Sequence, residues 1–140
     1  MEPAPADVLI IEDQAPMRQA LRKHLESAYP AAAILEAADG ASALELCRRH
    51  APRVVLTDLG LPDVNGLELI PQIKALPAVG PVIVVSMHAD AAYVNAAHAA
   101  GAAAYVTKDN AFRELLPLVS RVLGGMTGKI SSNRTLPEES

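Results

Sequence analysis

The chain has 140 residues with no tryptophan, one phenylalanine, three tyrosines and one cysteine. The lone Cys47 excludes a disulfide framework within the chain and a metal site built on cysteines. An excess of basic residues is also missing: the net charge is -4, so there is no overall positive field to draw nucleic acid or an anionic membrane. No apolar run approaches the roughly 20 residues of a membrane span, and Met1 to Ala6 lacks the basic and apolar regions of a secretory signal. The expectation is a cytoplasmic protein with no membrane association. What is present is aliphatic. Hydrophobic residues make up 51% of the chain, mostly Ala, Val, Leu and Ile, which suits a parallel sheet covered by helices.

Short aliphatic runs at Val8 to Ile11, Ala33 to Leu35, Val54 to Thr57, Val82 to Val85 and Ala103 to Val106 read as strands. Between them lie helical spacings such as Met17, Leu21 and Leu25. Strand and helix alternate throughout. That order implies right-handed crossovers, one α/β domain, and functional groups gathered at the carboxyl ends of the strands. Asp39 is expected to cap the second helix, Asp90 the fourth, and Asp109 or Asn110 the fifth. Gly101 falls where the fourth helix should end. Pro71 and Pro117 each remove a helical hydrogen bond and should bend or shorten their helices. The expected organisation is a disordered N-terminus over residues 1–6, a domain over 7–124, and a linker or tail over 125–140.

The chemistry concentrates at two strand ends. Asp58 follows Val54 to Thr57, and the pair Glu12-Asp13 follows Val8 to Ile11. Three carboxylates brought into one pocket repel each other and attract a divalent cation. Taken singly, each residue has a plainer reading: Glu12-Asp13 as a solvated pair, Asp58 and Ser86 as caps, Lys108 as a surface charge, Tyr105 as an edge-of-core aromatic. Four histidines, His24, His50, His88 and His98, lack ligand spacing and are assigned no metal; His88 reads as a surface residue over a place at the pocket rim.

Glu12-Asp13, Asp58 with Pro62 and Gly66, Ser86, and Tyr105 to Lys108 together resemble the receiver domain of two-component response regulators. Ser86 to His88, Gly101 to Asp109 and Val122 to Gly125 look most like its NarL/LuxR-type subgroup. The resemblance implies a doubly wound, five-stranded parallel sheet of flavodoxin/CheY-like order 2-1-3-4-5. It implies Asp58 as phosphoacceptor from a sensor histidine kinase, with Mg²⁺ held by Glu12, Asp13, Asp58 and the Gly60 backbone carbonyl. Lys108 and Ser86 would meet the phosphoryl oxygens, and Ser86 and Tyr105 would form a switch on the face of the fourth helix, fifth strand and fifth helix. The implied role is a phosphoacceptor signalling domain, not an enzyme, that controls transcription through a DNA-binding output domain beyond this chain. A homodimer on phosphorylation belongs to the same expectation. Met87 after the switch hydroxyl and Asp109 after the lysine depart from the family pattern. Two other readings stay open: an aspartyl-phosphate hydrolase, disfavoured by Gly60 two residues after Asp58, and a phosphorylation-independent or stand-alone single-domain module.

Overall fold

The structure, a computed structural model, describes residues 5–131, with side chains described through residue 124. Five strands, β1 (Val8–Ile11), β2 (Ile34–Ala37), β3 (Val54–Thr57), β4 (Val82–Ser86) and β5 (Ala104–Thr107), form one sheet in the order β2-β1-β3-β4-β5. Every pairing is parallel. Five helices cover it: α1 (Ala15–Ala28), α2 (Gly40–His50), α3 (Gly66–Lys74), α4 (Ala91–Ala100) and α5 (Ala111–Ser131).

Because side chains alternate across a strand, each aliphatic run feeds two cores. Val8 and Ile10, Val54 and Leu56, and Ile83 and Val85 pack with Leu21 and Leu25 of α1 and Leu115 and Val119 of α5. Their neighbours Leu9, Ile11, Val55, Val82 and Val84 face Ala43 and Cys47 of α2, Leu69 and Ile73 of α3, and Ala97 of α4. Complete burial of each Leu, Ile or Val contributes roughly 1.5–3 kcal/mol, which is why the inner strands carry uninterrupted aliphatics.

Several expectations shift. The second strand starts and ends later than Ala33 to Leu35, because Glu36 sits inside β2 and pairs with Arg18 and Arg22 of α1 at 2.9 and 2.8 Å. The fourth strand reaches Ser86, and the fifth is displaced by one residue to end at Thr107. Asp39 caps α2 by accepting from the Ser42 amide at 2.7 Å, and α4 ends at Gly101 with φ 118°. Asp90 occupies the N-cap of α4 but makes no side-chain cap bond. Before α5 the chain makes a 3-10 turn, Lys108–Asn110, and the Asn110 side chain binds Thr107 and Arg113 instead of capping.

Pro71 lies inside the short α3, and Pro117 lies inside α5, which runs on to Ser131. Ala6 is buried, donates to the His50 carbonyl at 2.9 Å and accepts from the Arg53 amide at 3.2 Å. The rest of the expected N-terminal and tail segments, residues 1–4 and 132–140, lies outside the described residues.

Candidate functional site

The pairing of β1 with β3 builds the site. Ile11 is in register with Thr57, and the Asp58 amide donates to the Ile11 carbonyl at 3.0 Å, so Glu12 and Asp58 leave adjacent strands side by side. Oxygen atoms from Glu12, Asp13 and Asp58 lie within 4.8 Å of one another. Glu12 and Asp58 are buried and Asp13 is exposed. The pocket is thus open on the Asp13 side.

Each carboxylate is fixed by its surroundings. Asp58 Oδ1 accepts from the Leu59 amide at 2.7 Å, and Thr57 Oγ1 donates to the Asp58 carbonyl at 2.9 Å. Glu12 Oε2 accepts from the Gln14 amide at 3.1 Å, at the start of α1, and Arg18 Nη1 donates to the Glu12 carbonyl at 2.8 Å. Lys108, directly after β5, completes the group: its Nζ lies 2.9 Å from Glu12 Oε1 and 3.1 Å from Asp58 Oδ2.

Charge balance explains what this pocket can hold. Burial pushes the Glu12 carboxyl up from its ordinary value of 4.5; bonds from Lys108 and the Gln14 amide oppose the rise, and the Asp58 charge adds to it. Lys108 responds the other way: burial would lower its ammonium, but the hydrogen bonds to Glu12 and Asp58 prevail and hold it above 10.5. One ammonium cannot neutralise three carboxylates, and the surplus is negative. Hard oxygen donors carrying surplus negative charge fit a hard divalent cation, so the cluster is consistent with the Mg²⁺ site of a receiver.

Glu12 gives this site a pH signature. A raised pKa means the metal-free folded chain binds the proton more tightly than the unfolded chain. Its contribution to stability is fully present below pH 4.5 and is lost as pH rises through the folded value. Thermal unfolding of the metal-free chain should record that loss, and Mg²⁺ should reverse its direction by favouring ionised Glu12. Titration calorimetry should find Mg²⁺ affinity falling on acidification at a pH above 4.5.

The loop from Asp58 to Asn65 forms the next wall. The Gly66 amide donates to the Leu59 carbonyl at 2.8 Å, Gly60 and Asn65 form an isolated antiparallel bridge, and Asn65 Oδ1 caps α3 through the Leu67 amide at 2.8 Å. Gly66 is required by this closeness: a Cβ there would lie 2.5 Å from Leu59 Cα and 2.7 Å from the Asp58 carbonyl oxygen. Gly66→Ala should therefore destabilise the fold by about 1–3 kcal/mol and displace the Asp58 backbone. Urea unfolding combined with Mg²⁺ titration checks both effects.

Ser86 is fully buried at the end of β4, in register with Thr107, and its Oγ accepts from the His88 amide at 3.1 Å. Half-buried Tyr105 donates its hydroxyl to the His88 carbonyl at 2.7 Å. Both ends of His88 are therefore held by Ser86 and Tyr105, while its ring stacks on Tyr93 with centroids 4.1 Å apart. His88 is exposed, in line with its surface reading; the anchoring of its backbone has no sequence signal. Arg18 was missed for the same reason. Met87 is 75% exposed beside Lys108, in an open hollow of about 450 Å³ that Thr107, Asp109 and Asn110 also line.

Comparison with known proteins agrees with this geometry. Residues 8–120 match the family described as the response regulator receiver domain. The chain is 37% identical over 110 residues to the transcriptional regulatory protein KdpE of Mycobacterium tuberculosis, covering 78% of this chain and 47% of that one. It is 30% identical over 119 residues to the response regulator UvrY of Escherichia coli, covering 85% of this chain and 55% of that one. It thus spans about half the length of these curated relatives. A crystal structure of a LuxR-family two-component response regulator from Aurantimonas superposes with a TM-score of 0.77 at 30% identity, covering 91% of this chain and 94% of that one. Among the described residues, no helix is long and apolar enough to cross a membrane.

Proposed function

Since this chain belongs to the response regulator receiver domain family, we propose that it accepts a phosphoryl group on Asp58 from a sensor histidine kinase and passes the change to its α4-β5-α5 face. A receiver is a phosphoacceptor signalling module and implies a cognate histidine kinase. The single observation that carries the assignment of Asp58 is its position: buried, fixed at Oδ1 by the Leu59 amide, and facing Lys108 at Oδ2 within an acidic cluster.

The Asp58 carboxylate attacks the phosphorus of a phosphohistidine. The phosphorus–nitrogen bond breaks, its electron pair stays on the imidazole, and an acyl phosphate forms on Asp58. No proton need leave Asp58, so the step requires no general base. Phosphoryl transfer depends chiefly on positioning and on neutralising the phosphoryl oxygens. Glu12, Asp13, Asp58 and the Gly60 carbonyl would hold Mg²⁺, which would supply charge neutralisation at those oxygens. Lys108 exchanges part of its ion pairing for a phosphoryl oxygen. Ser86, which accepts from the His88 amide, keeps its own hydroxyl proton for another.

That second use of Ser86 is the switch. A hydrogen bond from the hydroxyl to the charged group is worth about 1.5–3 kcal/mol, enough to change a two-state ratio about tenfold or more. Drawing the hydroxyl toward the phosphoryl group pulls on the bond that anchors His88, whose other anchor is Tyr105. Tyr105→Phe should leave phosphorylation of Asp58 intact and loosen the loop from Met87 to Asp90. Hydrogen–deuterium exchange should record faster exchange there, with the phosphoryl yield unchanged. Transcriptional output through a DNA-binding domain, and a homodimer formed on phosphorylation, extend the proposal beyond this chain. KdpE and UvrY are themselves named as regulators.

Intact-protein mass after incubation with a small phosphodonor, with and without Mg²⁺, tests the central step. A single Mg²⁺-dependent phosphoryl adduct is expected. A chain that gains no adduct from either a small donor or a kinase, and binds no Mg²⁺, would be a phosphorylation-independent interaction module instead.

A further inference from the structure

Asp63 is exposed, yet both of its carboxylate oxygens are engaged far along the chain. Oδ1 accepts from the Gly40 amide at 2.8 Å and Oδ2 from the Ala41 amide at 3.0 Å. These are first-turn amides of α2, which have no partner within their own helix. Next to Asp63, Val64 presses against the same helix end so closely that a Cβ on Gly40 would lie 2.4 Å from Val64 Cγ1. The loop is therefore held at three places: at its base by the Gly66 amide on Leu59, across its middle by the Gly60–Asn65 bridge, and at its tip by Asp63 on α2. Gly60 lies in the exposed part of this loop, and among these three anchors only the Asp63 tether reaches an element that does not adjoin the loop in sequence.

We propose that Asp63 is a positioning residue for the cation site: by clamping the loop to the start of α2, it holds the Gly60 carbonyl where it can join Glu12, Asp13 and Asp58 around Mg²⁺. This rests on the Mg²⁺ reading given above. The clamp makes metal binding sensitive to the first turn of α2, although no residue of that helix belongs to the acidic cluster.

Asp39 provides the control, because it caps the same helix end through Ser42 and, among the described residues, makes no hydrogen bond to the loop. Asp63→Ala and Asp39→Ala each remove one carboxylate from the start of α2, so charge and helix capping are matched. Mg²⁺ affinity of the parent and both variants, measured by titration calorimetry, should fall about tenfold in Asp63→Ala and stay within about twofold of the parent in Asp39→Ala. In the metal-free chains, exchange of the Gly66 amide should quicken in Asp63→Ala alone. Asp63→Asn, which keeps the shape and one good acceptor, should fall between parent and alanine variant in both readouts. Equal loss of affinity in the two alanine variants, or no loss in either, overturns the positioning role. A parent chain that binds no Mg²⁺ overturns the metal reading itself, and with it this role.

Discussion

Asp58→Asn is expected to fold as stably as the parent chain, or slightly more so, and to take up no phosphoryl group. The two halves of that result have separate causes. Asparagine keeps an oxygen for the Leu59 amide, which Asp58 Oδ1 accepts at 2.7 Å, and Lys108 keeps Glu12 as its partner at 2.9 Å. The substitution also removes a charge that raises the Glu12 carboxyl, so like-charge repulsion inside a buried site is relieved. The neutral amide, however, is no nucleophile toward phosphorus, and one of the cluster's three carboxylates is gone. Intact mass should detect no adduct under conditions that label the parent, and Mg²⁺ affinity should drop about tenfold or more. Thermal unfolding midpoints of the metal-free proteins should agree or favour the variant. Labelling of Asp58→Asn at the parental rate would remove Asp58 from its assigned role.

Lys108→Met should separate phosphoryl chemistry from metal binding. Methionine fills similar space without charge, leaving buried Glu12 and Asp58 without their shared ammonium. Loss of a partner for such groups costs about 1–3 kcal/mol at neutral pH. The cost should shrink on acidification: without Lys108, the raised Glu12 carboxyl rises further, and protonating it removes the unpaired charge. Thermal unfolding at pH 5 and pH 7 should record this convergence with the parent. Phosphorylation should slow about a hundredfold or more, because a positioned charge for the phosphoryl oxygens is lost. Mg²⁺ affinity, in contrast, should hold or tighten, since the pocket becomes more negative. Loss of Mg²⁺ binding in Lys108→Met would place the lysine in the architecture of the metal site instead.

The sequence was most legible where one physical demand dominated. β1 and β3 match their expected spans because buried central strands require unbroken aliphatics, and an acidic residue follows each at once. β2 is displaced from the aliphatic run Ala33 to Leu35 because the edge position lets the charged Glu36 lie inside the strand and pair with Arg18 and Arg22. Asp39 and Asp90 carried the same capping signal, yet only Asp39 makes the bond. In the site, Glu12, Asp13, Asp58, Ser86 and Lys108 are legible because parallel topology sends strand ends to one side, whereas Tyr105 comes only from the family resemblance; the three carboxylates and Lys108 lie together. Asp63, Arg18 and the anchoring of His88 were not visible. Each depends on a side chain or backbone group meeting an element distant in sequence, and no local pattern encodes such a meeting.

The strands are only four or five residues long, and β2 and β5 end the sheet on either side. A border that short offers a stray extended chain few consecutive backbone partners, and Glu36 adds a charge to the β2 side. Economy of strand length thus also protects the molecule against fibril-like self-association, even though the rows of valine and isoleucine it carries are, residue for residue, the kind of material from which cross-β aggregates grow.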